Sequence, residues 1–390
     1  MVAAVREGNS LRAVALRFGV SLSTVAFWVD RAGHSRLDRV DFVDRKPGRA
    51  SNRVSARWER LVLRSRQRLL TSVLGEYGAQ AIWRDLSVRH PDEDVPSRAT
   101  IHRVLVRHGL LDAVHRQRRP APPKGWYLPE VASGKAELDS FDFVEGLKIA
   151  DGPLVSVLTA TSLHGALAQA WPTARPTARF TVERLLERWH QDGLPEFAQF
   201  DNDSIFQGTH RFADSIGRVI RLCLALGVTP VFAPPREPGF QNAIEGFNAL
   251  WQAKVWRRHQ FTGIEHLRRL SRAYIDAYRE KTASRADAAP DRRAIAEEFR
   301  LDLHAPLRGR VIFLRRTNDN GRVHVLGRNF PVDSHWIRRL VRCEVDFTLQ
   351  QICFYALRRR DPEDQPLLRQ VRYVRADRPF QGPSQVFDER

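Results

Sequence analysis

The 390-residue sequence contains little cysteine, methionine or lysine and no long apolar run, and these scarcities exclude several classes of protein. Its three cysteines, Cys223, Cys343 and Cys353, are widely separated. This spacing excludes a disulfide scaffold and a cysteine-based zinc site, and it is typical of a reducing cytosol. The longest apolar stretch, around residues 222–235, is too short and too often broken by proline to span a bilayer, so no membrane partner is expected.

The beginning of the chain has Arg6 and Glu7 in place of an apolar run, which predicts that no signal peptide is present. The length exceeds that of one ordinary domain and predicts about two to four of them.

Basic residues outnumber acidic residues by 63 to 45, which gives the chain a net charge of +18. This excess of positive charge indicates polyanions as partners. The net charge is +12 over residues 1–135, −5 over residues 136–245 and +11 over residues 246–390. A chain that only coated nucleic acid would also be basic at its centre. An acidic centre fits clustered carboxylates that a divalent metal neutralises, with chance variation between domains as the alternative.

Residues 11–31 have the pattern of two helices joined by a glycine turn. Ala15 is small enough for a helix crossing, Gly19 allows the turn, and Val25 is an apolar anchor in the second helix. We therefore predict a helix-turn-helix DNA-binding domain over residues 1–45, with an ordinary helical hairpin as the alternative. The second helix would enter the major groove with these residues near its N-terminus: Ser21, Ser23 and Thr24.

A second set of helices is predicted over residues 54–111, after a linker around residues 46–53. Amphipathic segments cover residues 58–74 and 77–88, and Ser97 is a natural N-cap for a third helix. This pattern predicts a second, winged-helix-like helix-turn-helix domain, with a plain three-helix bundle as the alternative. Its outward-facing residues, which we expect to contact DNA, are Arg98, Thr100, Arg103 and Arg107. Residues 112–135 are basic and proline-rich, which predicts a linker.

Residues 136–258 change to an α/β pattern of three strands, a helix, a strand, a helical stretch over about residues 206–226, a strand and a helix. Asp142 lies within the first strand, Asp201 follows a later strand, and Glu245 lies near the start of a helix. Strand ends and helix starts of an α/β sheet can converge, and three carboxylates that meet there could hold two Mg²⁺ ions.

Asp139 is an alternative candidate for the first of these carboxylates, because it lies only three residues before Asp142. Successive side chains of a strand alternate between its faces, so Asp142 shares a face with Val144 while Phe141 and Phe143 take the other, apolar face. This alternation favours Asp142, with Asp139 as the alternative. We interpret Asp203 as a neighbouring surface or supporting carboxylate and not a ligand, and we assign Glu145 and His164 solvated or packing roles.

Residues 259–390 are predicted as a helical extension over residues 259–300, a small basic β-barrel over residues 301–360, and a loosely ordered tail over residues 361–390. The sequence NDNG at Asn318–Gly321 is a strong turn signal and predicts a hairpin.

Three segments, FDFVEG (141–146), QFDNDSIF (199–206) and GVTPVFAPPREPGFQNAIEGFN (227–248), resemble the signature blocks of the retroviral-integrase superfamily, especially insertion-sequence DDE transposases. In the last block a short strand leads through a proline-rich loop, with Pro238 and Gln241, into a helix bearing Glu245 and Asn248. The sequence departs from the family in its longer Asp201–Glu245 spacing of 44 positions, in Asp203, and in Asn242 where a glycine is common.

This resemblance implies a multidomain α+β protein whose tandem helix-turn-helix domains precede an RNase H-like catalytic core and a C-terminal β-barrel. It implies that Asp142, Asp201 and Glu245 are both the catalytic residues and the ligands of Mg²⁺ or Mn²⁺, with two ions in the DNA-bound state. The implied activity is cleavage at the ends of a mobile element and strand transfer into target DNA. The implied partners are double-stranded DNA, both terminal repeats and target, and further copies of the chain.

The resemblance also implies a bacterial, cytoplasmic, nucleoid-associated protein. Two alternatives stay open at this point: a catalytically inactive relic or helix-turn-helix regulator, and an RNase H-like nuclease that cuts without joining.

Overall fold

The computed structural model describes residues 1–34, 37, 54–111, 124–150, 152–209, 212–237, 239–359 and 361–375. The predicted linker around residues 46–53, the first part of the linker at 112–123, and Pro238 lie outside the described residues. The chain divides into two compact units, Met1–Leu61 and Val62–Arg390.

The first unit contains three short helices: α1 (Val2–Arg6), α2 (Leu11–Phe18) and α3 (Leu22–Ala32). The Ser21 side chain caps α3 by accepting a hydrogen bond from the Thr24 amide, and Gly19 turns the chain with a positive φ of 63°. Ala4, Val14, Ala15 and Val25 form the apolar centre. The two helices and the glycine turn are those that the sequence predicts.

The described residues contain no single helix that is long and apolar enough to cross a membrane. Helices α2 and α3 pass that test only as a pair, and they are bent by 114° where they meet.

The larger unit begins with three helices: α4 (Ala56–Leu70), which starts before the unit boundary, α5 (Ala79–Arg89) and α6 (Arg98–Arg107). Ser97 caps α6 through the Thr100 amide, as predicted. Apolar side chains of α5 and α6 are buried, among them Ile82, Ile101 and Leu105. Helix α4 ends at Leu70, four residues earlier than the pattern predicts.

A nine-stranded mixed sheet is the centre of the larger unit. The strands of the described residues are β1 (Leu138–Lys148), β2 (Leu154–Ser162), β3 (Ala168–Thr173), β4 (Phe197–Phe200), β5 (Thr229–Phe232), β6 (Arg310–Arg316), β7 (Arg322–Val325), β8 (Arg328–Pro331), β9 (Leu340–Asp346), β10 (Gln351–Ala356) and β11 (Leu367–Arg372). The sheet has the order β11-β10-β9-β6-β5-β4-β1-β2-β3, and β7 and β8 form a separate pair. The neighbours β1–β4, β4–β5 and β5–β6 are parallel and the others antiparallel.

Helices cover both faces of the strands β1–β5. They are α7 (Pro129–Ala132), α8 (Ala178–Asp192), α9 (Ser204–Gln207), α10 (Arg218–Ala225), α11 (Asn242–Lys254), a 3-10 turn (Trp256–Arg258) and α12 (Ile264–Asp287). Phe141 packs with α8 and α10 on one face, whereas Val144 packs with α11 and α12 on the other. The alternation predicted for β1 is therefore present, and it yields a mixed α/β architecture with a central mixed sheet.

The structure does not confirm a separate C-terminal β-barrel. Strand β6 instead pairs in parallel with β5, and the strands that follow extend the same sheet. Phe313 of β6 stacks on Phe232 of β5 with ring centroids 5.1 Å apart, inside the core that also holds Phe141. The physical reason is that β5 would otherwise leave an unpaired edge and an uncovered apolar face.

The NDNG turn does form, with the Gly321 amide donating to the Asn318 carbonyl at 3.0 Å, but the predicted hairpin is wrong. Strand β6 has β5 on one edge and β9 on the other, so β7 cannot pair with it. Strand β7 pairs instead with β8 across Leu326 and Gly327, both of which have positive φ.

Three other expectations are wrong in the larger unit. Residues 124–135 are not a linker, because Trp126, Tyr127 and Leu128 are buried in the core. Residues 361–375 are not all a loose tail, because β11 extends the sheet. The helical stretch over residues 206–226 is interrupted between α9 and α10. There the buried Asp214 accepts a hydrogen bond from the Tyr373 hydroxyl and pairs with Arg328.

Candidate active site

The structure brings Asp142, Asp201 and Glu245 into one neighbourhood from three elements. The parallel register of β1 with β4 aligns Ser140 with Gln199, so two residues further along, Asp142 comes level with Asp201. Glu245 lies in the first turn of α11, on the face of the sheet that Asp142 points to. Asp201 and Glu245 line one open cavity of about 620 Å³, which we call the carboxylate cleft.

The electrostatics of Asp142 reflect this crowding. Burial raises the pKa of Asp142 to about 7, and the charges of Asp201, Glu245 and Glu145 act in the same direction, against a hydrogen bond from the Phe143 amide. Burial also raises the pKa of Asp201, with further contributions from the charges of Asp203 and Glu145. The site therefore resists full ionisation as long as no cation balances it.

Asn248 fixes the orientation of Asp142. Its Nδ2 atom donates to Asp142 Oδ2 at 2.8 Å, and its Oδ1 atom accepts from Thr159 Oγ1 at 2.6 Å. Asn248 follows Glu245 by three residues, which puts both on one side of α11. A carboxylate anchored in this way presents its remaining lone pairs in a defined direction.

Glu145 is a site residue that sequence reasoning missed. Its side chain is exposed, which agrees with the predicted solvated role, and its charge raises the pKa of both Asp142 and Asp201. The register of β1 against β2 shifts between Val144 and Leu147, and Gly146 has a φ of 72°, so a bulge re-aims the chain here. The glycine after Glu145 was the signal that could have revealed this.

Asp139, the rival first carboxylate, points to the opposite face and has a different environment. It is fully buried, and it accepts two hydrogen bonds each from Arg188 and Arg292 and one from Trp189. Burial alone would raise the pKa of Asp139, but the charges and hydrogen bonds of the two arginines outweigh it and hold the pKa far below its ordinary range. Its oxygens are occupied by these structural partners.

The donor chemistry of the carboxylate cleft fits a hard divalent cation, because carboxylate oxygens are the ligands that Mg²⁺ and Mn²⁺ prefer. The pKa values of Asp142 and Asp201 are raised because their negative charges are not balanced, and a bound divalent cation would balance them. Within the described ranges, no three His, Cys, Asp or Glu side chains stand in a ready-made metal-binding group. Glu245 is exposed on its helix and would have to turn toward the two aspartates to complete such a group.

The loop before α11 contributes two further polar features. Glu237 forms an ion pair with Arg316 of β6, which ties the loop to the C-terminal part of the sheet. The buried Gln241 Nε2 atom has no hydrogen-bond partner among the described residues, and Gln241 lines the carboxylate cleft.

The residues predicted to contact DNA lie on the helices that the sequence indicates. Ser21 Oγ is hydrogen-bonded to the hydroxyls of Ser23 and Thr24 at the start of α3, in the first unit. On α6, in the larger unit, Arg98 donates to Gln80 Oε1 at 2.8 Å, and Arg103 donates to Thr100 Oγ1 at 3.1 Å. The side chains of Arg98, Arg103 and Arg107 are exposed. Their contact with DNA stays a prediction.

No family model matches the chain. Among solved structures, the catalytic core domain of BIV integrase is similar over 36% of this chain and 80% of its own, at 16% identity and a TM-score of 0.26. A simian T-cell lymphotropic virus intasome in complex with PP2A regulatory subunit B56 gamma is similar over 71% of this chain and 88% of the matched chain, at 10% identity and a TM-score of 0.33. Neither likeness carries a conclusion about this chain's activity.

Proposed function

We propose that the chain is a DDE-type transposase, which binds the ends of a mobile DNA element and catalyses metal-dependent DNA cleavage and strand transfer. The observation that carries this proposal is the meeting of Asp142, Asp201 and Glu245 from a strand, a strand end and a helix start. Their order along the chain supports the same reading, because they fall in the three segments that resemble the superfamily's signature blocks, although the Asp201–Glu245 spacing of 44 positions is longer than in that superfamily.

The roles of the residues follow from their environments. Asp142, Asp201 and Glu245 would hold Mg²⁺ or Mn²⁺, two ions being expected with DNA bound. When bound, such ions supply activation of the attacking oxygen and stabilisation of the leaving oxygen at phosphorus. Asn248 keeps Asp142 in one orientation, and the Asp203 amide does the same for Asp201 through a 2.9 Å hydrogen bond. No covalent protein–DNA intermediate is required, so the scheme needs no serine or tyrosine nucleophile.

The basic parts of the chain support DNA as the substrate. Residues 1–135 carry a net charge of +12 and include α3 and α6, whose outward residues we propose as the contacts to terminal-repeat DNA. The acidic side chains of the cleft repel a phosphate backbone unless cations intervene, which makes cleavage dependent on metal. Joining of two ends would require at least two copies of the chain on the DNA.

A cleavage and strand-transfer assay tests the proposal. The substrate is DNA flanking the gene in its source genome, with Mg²⁺ or Mn²⁺, and the wild type is compared with Asp201→Asn and Glu245→Gln. We expect nicks at a defined end followed by joined products, both abolished by either change while end binding persists.

Asp203→Asn is the matched control, because asparagine can still cap α9 as Asp203 does and only a neighbouring charge is lost. It should retain most of the activity. Specific binding without cleavage in either metal would favour the regulator or relic, and cleavage without joining would favour a nuclease.

A further inference from the structure

A second cavity, of about 400 Å³, lies beside the carboxylate cleft and shares a wall with it. Asn202, Pro234 and Pro235 line both cavities. The described residues that line the second cavity include no acidic side chain, whereas three of its side chains are basic or can become so, and we call it the basic cavity: Arg315, Arg316 and His324. The acidic side chains of this region thus line the carboxylate cleft, and Arg315 lines the basic cavity, while Arg316 is already paired with Glu237 of the cleft.

Arg315 is held firmly in this cavity without a counter-ion. Its guanidinium lies 5.0 Å from the centre of the Phe313 ring, and it donates to Asn202 Oδ1 at 2.8 Å and to three backbone carbonyl oxygens. All four acceptors are neutral, and the described residues provide no ion pair for it. A guanidinium has five N–H donors, so at least one remains for a ligand. Burial lowers the pKa of Arg315 to about 10, so the charge persists at neutral pH.

Gln207, at the end of α9, supplies a second unsatisfied polar group. Its side chain lines the basic cavity and is only 8% exposed, yet its Oε1 atom has no hydrogen-bond partner among the described residues. A buried amide group without a partner is destabilising, so such a group needs a reason to be there. A half-turn of the amide exchanges its oxygen and nitrogen, which lets Gln207 offer an N–H donor to an anion.

We infer that the basic cavity binds a phosphate of the DNA backbone next to the phosphodiester that reacts in the carboxylate cleft. The inference rests on the proposed function and adds a strand-positioning site to it. A phosphate supplies the negative charge that Arg315 lacks, and one of its oxygens can accept a charge-assisted hydrogen bond from the guanidinium N–H that remains. Because Arg315 is hydrogen-bonded to Asn202, the residue after Asp201, a phosphate held there lies against the turn that carries a proposed metal ligand. Arg315 and Gln207 are thus positioning residues.

The test is a scan in which single backbone phosphates of the flanking-DNA duplex are replaced, one at a time, by neutral methylphosphonates. Binding is measured by fluorescence anisotropy and joining by strand transfer. We expect the wild type to lose affinity about tenfold or more at one or two adjacent positions, because a charge-assisted hydrogen bond is removed there. Arg315→Met should bind unmodified DNA more weakly by a similar factor and show no further loss at those positions.

Two more variants keep the test decisive. Gln207→Leu removes a buried group without a partner, so its melting temperature should be unchanged or higher. Its affinity for unmodified DNA should fall, and methylphosphonates at the same positions should cost it less affinity than they cost the wild type. A purely structural role for Gln207 cannot produce that combination. Arg310→Met makes the same substitution at the other end of β6, where Arg310 pairs with Glu344, and should keep the wild-type methylphosphonate pattern.

The outcomes separate this inference from the proposed function. Wild-type joining, with Arg315→Met and Gln207→Leu retaining the wild-type sensitivity at every phosphate, would overturn the phosphate site and leave the transposase intact. No joining by the wild type, with the predicted loss of phosphate sensitivity in both variants, would support the site and reject strand transfer.

Discussion

At the scale of single residues, Asp139 and Asp142 are three positions apart on one strand, and their pKa values are shifted in opposite directions. Asp139 is ionised between Arg188 and Arg292, so Asp139→Asn removes the carboxylate that the two guanidinium groups share and leaves Arg188 with its 3.5 Å ion pair to Asp192. We expect a loss of about 3–5 kcal/mol in the free energy of unfolding at pH 7, measured by urea denaturation. The folded-state pKa of Asp139 lies below its unfolded value, so its contribution is present above the ordinary pKa of aspartate and is lost as pH falls through the folded pKa.

The variant should therefore lose less stability in acid than the wild type. Asp203→Asn is the control for a general effect of lost charge and should remain within about 0.5 kcal/mol of the wild type at pH 7. Equal stability of the Asp139 variant and the wild type at pH 7 would contradict the role assigned to this network.

Asp142 gives the opposite pH dependence, since its folded-state pKa of about 7 is above its unfolded value. The protonated form is favoured by folding, so without divalent metal the stability it contributes is present below about pH 4 and declines as pH rises to about 7. In EDTA at pH 8, Asp142→Asn should melt a few degrees above the wild type, measured by differential scanning fluorimetry.

Added Mn²⁺ should raise the melting temperature of the wild type and leave that of Asp142→Asn nearly unchanged, because the variant lacks a proposed ligand. The same Mn²⁺ shift in both proteins would be evidence against a cation at Asp142. This measurement needs no DNA and no activity.

At the scale of secondary-structure elements, the sequence predicted what depends on neighbours along the chain. Ser21 and Ser97 mark helix starts because capping is local, and the period-two alternation around Asp142 assigns the faces of β1. The sequence did not predict the pairing of β5 with β6, because the 80 or so residues between them carry no signal of which strand covers an edge. It also missed the bulge of β1 between Val144 and Leu147, and the arginines that hold Asp139 from 49 and 153 positions away.

The pairing of β6 with β5 predicts that the core cannot fold without its C-terminal strands. In a chain ending at residue 300, Phe232 loses its stacking partner Phe313 and β5 has an open edge. We expect this shortened chain to be aggregated or to lack a cooperative melting transition, whereas a chain ending at residue 375 should melt once and cooperatively. If the C-terminal strands formed an independent barrel domain, the shortened chain would instead fold and bind Mn²⁺ normally.

At the scale of the whole molecule, the division into Met1–Leu61 and Val62–Arg390 places the residues of two proposed roles in different units. The carboxylate cleft and the basic cavity lie wholly in the larger unit, while Ser21, Ser23 and Thr24 lie in the smaller one. The charge pattern of the sequence anticipated an acidic centre between basic arms, and the acidic centre does contain the cleft. The basic cavity was not anticipated, because Arg315 and Gln207 are 108 positions apart and only the extended sheet brings them together.

This division predicts that a chain beginning at residue 54 keeps the chemistry and loses selectivity. It retains all of α4, so it should fold and show the full Mn²⁺-dependent rise in melting temperature. Its preference for terminal-repeat DNA over random duplex should fall by about tenfold or more, since base contacts from α3 are gone, while binding to random duplex weakens less. Anisotropy titrations with both duplexes at two salt concentrations measure this, with the full chain as control. If the preference survives, α6 and not α3 reads the sequence, and Arg103→Ala in the shortened chain should then remove it.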